Sequence, residues 1–121
     1  MGSVGYRHFL TMADDKLDLL LGTLDLLILK TLALEPSHGW GIAQRIQEIS
    51  KDALRINQGS LYPALQKLER EGWISRQEGV AENNRRVSVY SLTAVGRRQL
   101  ARRVETWNRF SDAVGLILQA T

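Results

Sequence analysis

The chain has 121 residues, 44% of them hydrophobic, enough for one core in one small domain, which excludes wholesale disorder. It carries no cysteine and only two histidines, His8 and His38, which excludes disulfides, thiolate metal sites and a tetrahedral zinc centre. A formal net charge of +3 with a pI near 9.6 hints at an anionic partner without specifying one.

Residues 1–16 show no clear period and are expected to be an N-terminal extension, partly disordered. Met12 marks either an alternative start or the end of an appended segment. No basic stretch precedes a long apolar run there, so no signal peptide is expected. "LLLGTLDLLILKTLAL" is interrupted by Asp25 and Lys30 and is too short to span a bilayer. The expectation is a soluble, cytoplasmic protein with no membrane partner. From Leu19 to Leu34 the apolar residues run nearly all round, which predicts a buried helix, with Thr23 as a plausible N-cap and Asp25 well placed for the helix dipole. Glu35-Pro36 ends it, because the residue before proline avoids helical angles.

Ile42, Ile46 and Ile49 predict a second amphipathic helix at about 40–50. Trp40 is expected to pack where that helix starts, and His38 to be a turn residue. An extended piece, 54–56, leads into "NQGSLYPALQKLEREGWISRQEG". Leu61, Leu65 and Leu68 recur at i, i+4 and i+7 as a core stripe, with Ser60, Tyr62, Gln66, Lys67 and Arg70 off it. Asn57 and Ser60 compete as N-cap. With Ser60, Pro63 falls in the first turn at little cost; with Asn57, one hydrogen bond to the Gly59 carbonyl is lost. Gly72 stops this helix.

Trp73–Gln77 and "VSVYSL" predict two strands around a polar tip, "EGVAENNRR", in which Asn83-Asn84 tolerates a left-handed backbone. Trp73 is expected in the core. Thr93 caps a last helix running close to Thr121. Its seam, Leu100, Val104, Trp107, Ser111, Val114 and Leu118, follows a 4-3-4-3-4 spacing, widened by Phe110 and Ile117. Roughly 38 Å of helix, at about 1.5 Å per residue, exceeds what so small a domain can cover, which predicts pairing with a second copy. The fold class expected is mainly α with some β: a winged helix-turn-helix with a two-stranded wing and a long C-terminal dimerisation helix. The boundaries are 17–92 for the DNA-binding unit and 93–121 for the dimerisation helix.

In that architecture the third helix enters the DNA major groove, and the charge agrees. Residues 1–54 hold five Lys/Arg against seven Asp/Glu, 55–86 six against four, and 93–121 five against two. The positive charge therefore lies in the second half of the chain. A solvated basic face is the plain alternative.

"GTLDLLILKTLALEPSHGWGIAQRI", "GSLYPALQKLEREGWI" and "NNRRVSVYSLTAVGRRQL" resemble the PadR family of bacterial transcriptional regulators, in the family's order and spacing, from about Leu19 to Trp107. The single C-terminal helix resembles the family's shorter branch. The resemblance implies a homodimer that represses transcription and is released from DNA by a small molecule; two reading heads on a two-fold axis favour a palindromic, double-stranded operator. The resemblance puts Tyr62 on the DNA-facing helix.

Each position has a plainer role beside the functional one. Gln58, Ser60, Tyr62, Pro63 and Lys67 either face DNA, Lys67 as a phosphate contact, or simply complete a helix surface. Arg85 and Arg86 either meet the DNA backbone or minor groove from the wing, or are solvated at a loop tip. Leu100, Val104, Trp107, Val114 and Leu118 are assigned to the dimer interface. Trp107 and Phe110 are candidate contacts for a planar aromatic effector near the start of the first helix. Arg97, Arg98, Arg102 and Arg103 read as a solvated flank or as long-range attraction for DNA. No G-x-S-x-G, phosphate-cradling loop or metal-ligand cluster is present, so no enzyme, cofactor or metal is expected. A winged-helix module used only for protein contacts is the rival function, since fold does not fix function.

Overall fold

The computed structural model describes residues 11–12 and 23–121. Helix α1 (Thr23–Leu34) buries Leu24, Ile28, Leu29 and Leu32, as its nearly continuous apolar run requires, and stops before Pro36. Residues 19–22, expected in the same helix, and most of the extension 1–16 lie outside the described residues. The exception is strand β1 (Thr11–Met12), which pairs antiparallel with β3 (Leu54–Arg55).

The two residues of β2 (Ser37–His38) precede α2 (Gly39–Ile49), where the His38 Nδ1 accepts a hydrogen bond from the Gly41 amide at 3.0 Å and so caps the helix. Ile42 and Ile46 are buried, but Ile49 is 59% exposed. It is the last residue of α2, where the chain turns away at Ser50, so the expected stripe has nothing to pack against there. Trp40 packs at the start of α2, as expected, but only against the capping His38. It is 56% exposed and lies nearly parallel to the His38 ring, with centroids 6.3 Å apart.

Helix α3 (Gln58–Arg70) turns Leu61, Ala64, Leu65 and Leu68 into the core between α1 and α2. Each fully buried leucine contributes about 1.5–3 kcal/mol relative to an exposed one, so this face anchors the helix. Strands β4 (Ile74–Val80) and β5 (Arg86–Leu92) form the hairpin in a register running from Ile74↔Leu92 to Val80↔Arg86. Its turn is tighter than expected, because pairing continues to Arg86 and only 81–85 bend. Asn84 takes the left-handed conformation there, with φ +65°. β2 pairs with the other edge of β5, making three strands in the order β2-β5-β4. Two residues of strand carry no readable period, so this third strand is not predictable from the sequence.

The end of α3, the start of the hairpin and the last helix meet at one point. Gly72, with φ +78°, closes α3, the Trp73 amide donating to the Leu68 carbonyl and the Gly72 amide to that of Glu69. Thr93 caps α4 (Ala94–Gln119) by accepting from the Gly96 amide at 3.0 Å. Its hydroxyl faces the carbonyl oxygens of Gly72 and Trp73 at 2.7 and 3.0 Å, and its amide donates to the Trp73 oxygen at 3.1 Å. Trp73 is half-buried against the core rather than inside it, with the Arg103 guanidinium 5.0 Å above its ring.

Gly96 is the buried residue of α4, and a Cβ there would lie well inside 3.0 Å of the Trp73 backbone oxygen. Gly96→Ala should therefore push the helix off the hairpin and cost about 1–3 kcal/mol of stability in a thermal or denaturant melt. Gly115→Ala, on the same helix with nothing within 4 Å of its Cβ, should leave stability unchanged or slightly raised.

Candidate nucleic-acid interface

Because α3 buries one face, its composition decides what the other face offers. Asn57 is the N-cap, its Oδ1 accepting from the Gly59 amide at 2.6 Å and its carbonyl from the Ser60 and Leu61 amides at 3.0 Å. Ser60, the competing candidate, is the third residue inside the helix. Pro63 therefore sits past the first turn, and the Gly59 carbonyl loses its helical donor. Gln58, Gly59, Tyr62, Pro63, Gln66 and Arg70 are exposed, and Ser60 is half-buried.

The two flanks of this face lead to different neighbours. On one, the Tyr62 ring lies over Gly39 so closely that a Cβ there would meet its Cε1 and hydroxyl at 2.9 Å. Beyond Tyr62 opens a groove of about 1070 Å³ between α3, the start of α2 and the wing. His38, Trp40, Tyr62, Tyr90, Arg85 and Arg86 are among its lining residues. The wing is stiffened by the Asn83 Oδ1, which accepts from the Arg85 amide at 3.1 Å. Both arginines are exposed, and among the described residues no carboxylate lies within ion-pair distance of either. Arg76, by contrast, is engaged by Glu69 at 3.5 Å and Glu78 at 3.7 Å.

On the other flank Lys67 reaches back. Its Nζ lies 2.9 Å from the Oδ2 of Asp25, whose side chain is only 5% exposed. Lys67, expected to contact a phosphate, is paired with α1 in this structure. Of the residues expected at DNA, Tyr62, Arg85 and Arg86 line this groove, whereas Gln58 and Pro63 are exposed on α3 outside its lining and Ser60 is half-buried. Sequence reasoning missed that His38 and Trp40 share it, since only the β2–β5 pairing carries the start of α2 to the wing.

The proposed dimer seam is split. Leu100 packs against this chain's own core, whereas Val104, Trp107, Phe110, Leu116, Ile117 and Leu118 are exposed. Trp107 and Phe110 lie together, ring centroids 6.3 Å apart and tilted by 45°.

The model of the transcriptional regulator PadR-like family matches residues 28–102, which include α2, α3, the hairpin and the start of α4. Among solved structures, a transcriptional regulator from Clostridium thermocellum is 26% identical with a TM-score of 0.74, over 81% of this chain and 92% of that one. A PadR family transcriptional regulator from Eggerthella lenta is 26% identical with a TM-score of 0.72, over 83% and 85%. A transcriptional regulator of Mycobacterium tuberculosis is 37% identical over 54 residues, which are 45% of this chain and 50% of that one.

Tyr90 lines the groove, and burial raises its hydroxyl above the usual 10.0, the nearby Arg76 opposing that shift. A folded-state value above the unfolded one means that its contribution to stability is complete below pH 10.0 and is lost as pH rises through the folded value. Stability measured along an alkaline titration should fall across that window, and Tyr90→Phe should fall less steeply.

Proposed function

The chain belongs to the transcriptional regulator PadR-like family, and we propose that it acts as a homodimeric repressor that reads a palindromic operator and leaves it when a small molecule binds. In this reading residues 17–92 are the DNA-binding unit, 93–121 the dimerisation helix and 1–16 an extension. The protein works in the cytoplasm, in keeping with the absence, among the described residues, of any helix long and apolar enough to cross a membrane. The family regulates transcription and is not enzymatic.

One observation carries the assignment: Tyr62, on the exposed face of α3 with Gln58, Pro63 and Gln66, stands across a groove from two wing arginines with no carboxylate partner among the described residues. A duplex supplies what that arrangement lacks. The helix face fits base edges in the major groove, and the arginines fit backbone phosphates or the minor groove. Trp40 and His38 join this face as contacts for the strand running between helix and wing. Two such heads on a two-fold axis favour half-sites about 34–36 Å apart.

Arg85→Ala with Arg86→Ala should weaken binding to every duplex. It should also flatten the plot of log affinity against log salt by about 0.9 for each phosphate that the wing no longer neutralises. Gln58→Ala should instead change which sequence is preferred. A double arginine variant that binds normally across the salt range would remove the wing from the interface.

The exposed apolar run from Val104 to Leu118 supports dimerisation through α4, and the Trp107–Phe110 pair supports a planar aromatic effector between the two copies. The start of α1, expected to border that site, carries Asp25, which meets Arg103 of α4. Trp107→Asp should yield monomers in light scattering at concentrations where the unaltered chain is dimeric. Dimers that persist would move the interface elsewhere.

A further inference from the structure

Asp25 lies in the first turn of α1, and its carboxylate is nearly closed off from solvent. A charge so placed must be paired. Lys67 from α3 provides the nearer partner at 2.9 Å, and Arg103 from α4 stands 3.8 Å from the same oxygen, Oδ2. Three helices thus meet on one oxygen atom. Arg103 is also held over the Trp73 ring, and its guanidinium is the more distant of the two cations. Lys67 is therefore the cation that the carboxylate neutralises most directly.

Lys67 stands one turn after Pro63 and two turns after Ser60, on their side of α3, and its side chain is still 46% exposed. Without Asp25 a lysine so placed would extend along the outward face of the reading helix. We propose that Asp25 is a positioning residue for the reading head: it draws the Lys67 ammonium onto α1 and withholds it from DNA. This rests on α3 being the DNA-reading helix. The consequence is electrostatic. A lysine already paired with a buried carboxylate releases no counterion from a duplex, whereas a free one adds to the salt dependence. The charge on the reading helix is thereby kept low, and discrimination is left to Gln58, Tyr62 and their neighbours.

The test uses the full-length chain and two readouts. The first is the salt dependence of binding to a duplex without an operator. Lys67→Met alone should leave the slope unchanged. Asp25→Asn should steepen it by about 0.9, and Asp25→Asn with Lys67→Met should return it to the starting value. The second needs no DNA. Amine acetylation followed by mass spectrometry should label Lys67 more slowly than the exposed Lys30 and Lys51, and equally fast after Asp25→Asn.

The proposal is overturned if Lys67→Met alone flattens the slope, if Asp25→Asn leaves it unchanged, or if the steepening survives Lys67→Met, since the freed charge is then Arg103. It is also overturned if Lys67 labels as fast as Lys30 in the unaltered chain. Should Asp25→Asn fail to fold, Lys67→Met and the labelling of the unaltered chain still decide. An unaltered chain that binds no duplex while Lys67 is protected would locate the failure in the DNA-reading assignment, not in the ion pair.

Discussion

The backbone oxygen of Trp73 accepts the amide of Thr93 and lies within hydrogen-bond reach of its hydroxyl, and the geometry of the whole reading surface depends on that contact. Gly72 and Trp73 close the reading helix and begin the hairpin. Thr93 ends the hairpin and begins the long helix. One threonine therefore fixes three elements relative to one another, and Gly96 lets α4 come close enough for it to do so. A side chain at Gly96 would meet the Trp73 backbone and separate α4 from the hairpin.

Charge is sorted around α3 as sharply as apolar surface. The core face is leucine and alanine. The flank toward the wing meets aromatic rings and, across the groove, arginines with no carboxylate partner among the described residues. The flank toward α1 ends in an ion pair with a buried carboxylate. Guanidinium groups with no carboxylate partner among the described residues would exchange water and counterions for phosphate at small desolvation cost in the proposed complex, while Lys67 would first have to leave Asp25. In the proposed reading, affinity for any duplex comes chiefly from the wing, and discrimination between duplexes from the helix. Because Arg103 shares the Asp25 oxygen, the long helix is joined electrostatically to the reading helix as well as through the Trp73 junction.

What the sequence discloses follows from how far apart the interacting residues lie in the chain. The Leu61–Leu65–Leu68 stripe, the Gly72 stop, the Thr93 cap and the left-handed Asn84 are local matters, and each stands in the structure as its residues imply. The local pattern misleads where a stripe outruns its neighbours, as at Ile49, and where an aromatic is expected inside the core, as at Trp73, which packs against it half-buried. The Asp25–Lys67 pair joins residues 42 apart, so no window on either side reveals it. His38 and Trp40 reach the groove only through β2, whose two residues show no alternation. The hairpin extends further than expected because Arg86 pairs with Val80, a consequence of register rather than of β propensity.

The central claim, that one continuous surface formed by the start of α2, the exposed face of α3 and the wing tip receives duplex DNA, is tested most directly by an NMR titration of the full-length chain with a short duplex. Amide signals should shift together at residues 39–40, 58–66 and 81–87, while those of α4 beyond Trp107 stay in place. Shifts concentrated on the apolar run of α4, with α3 and the wing unmoved, would place the duplex on α4 instead.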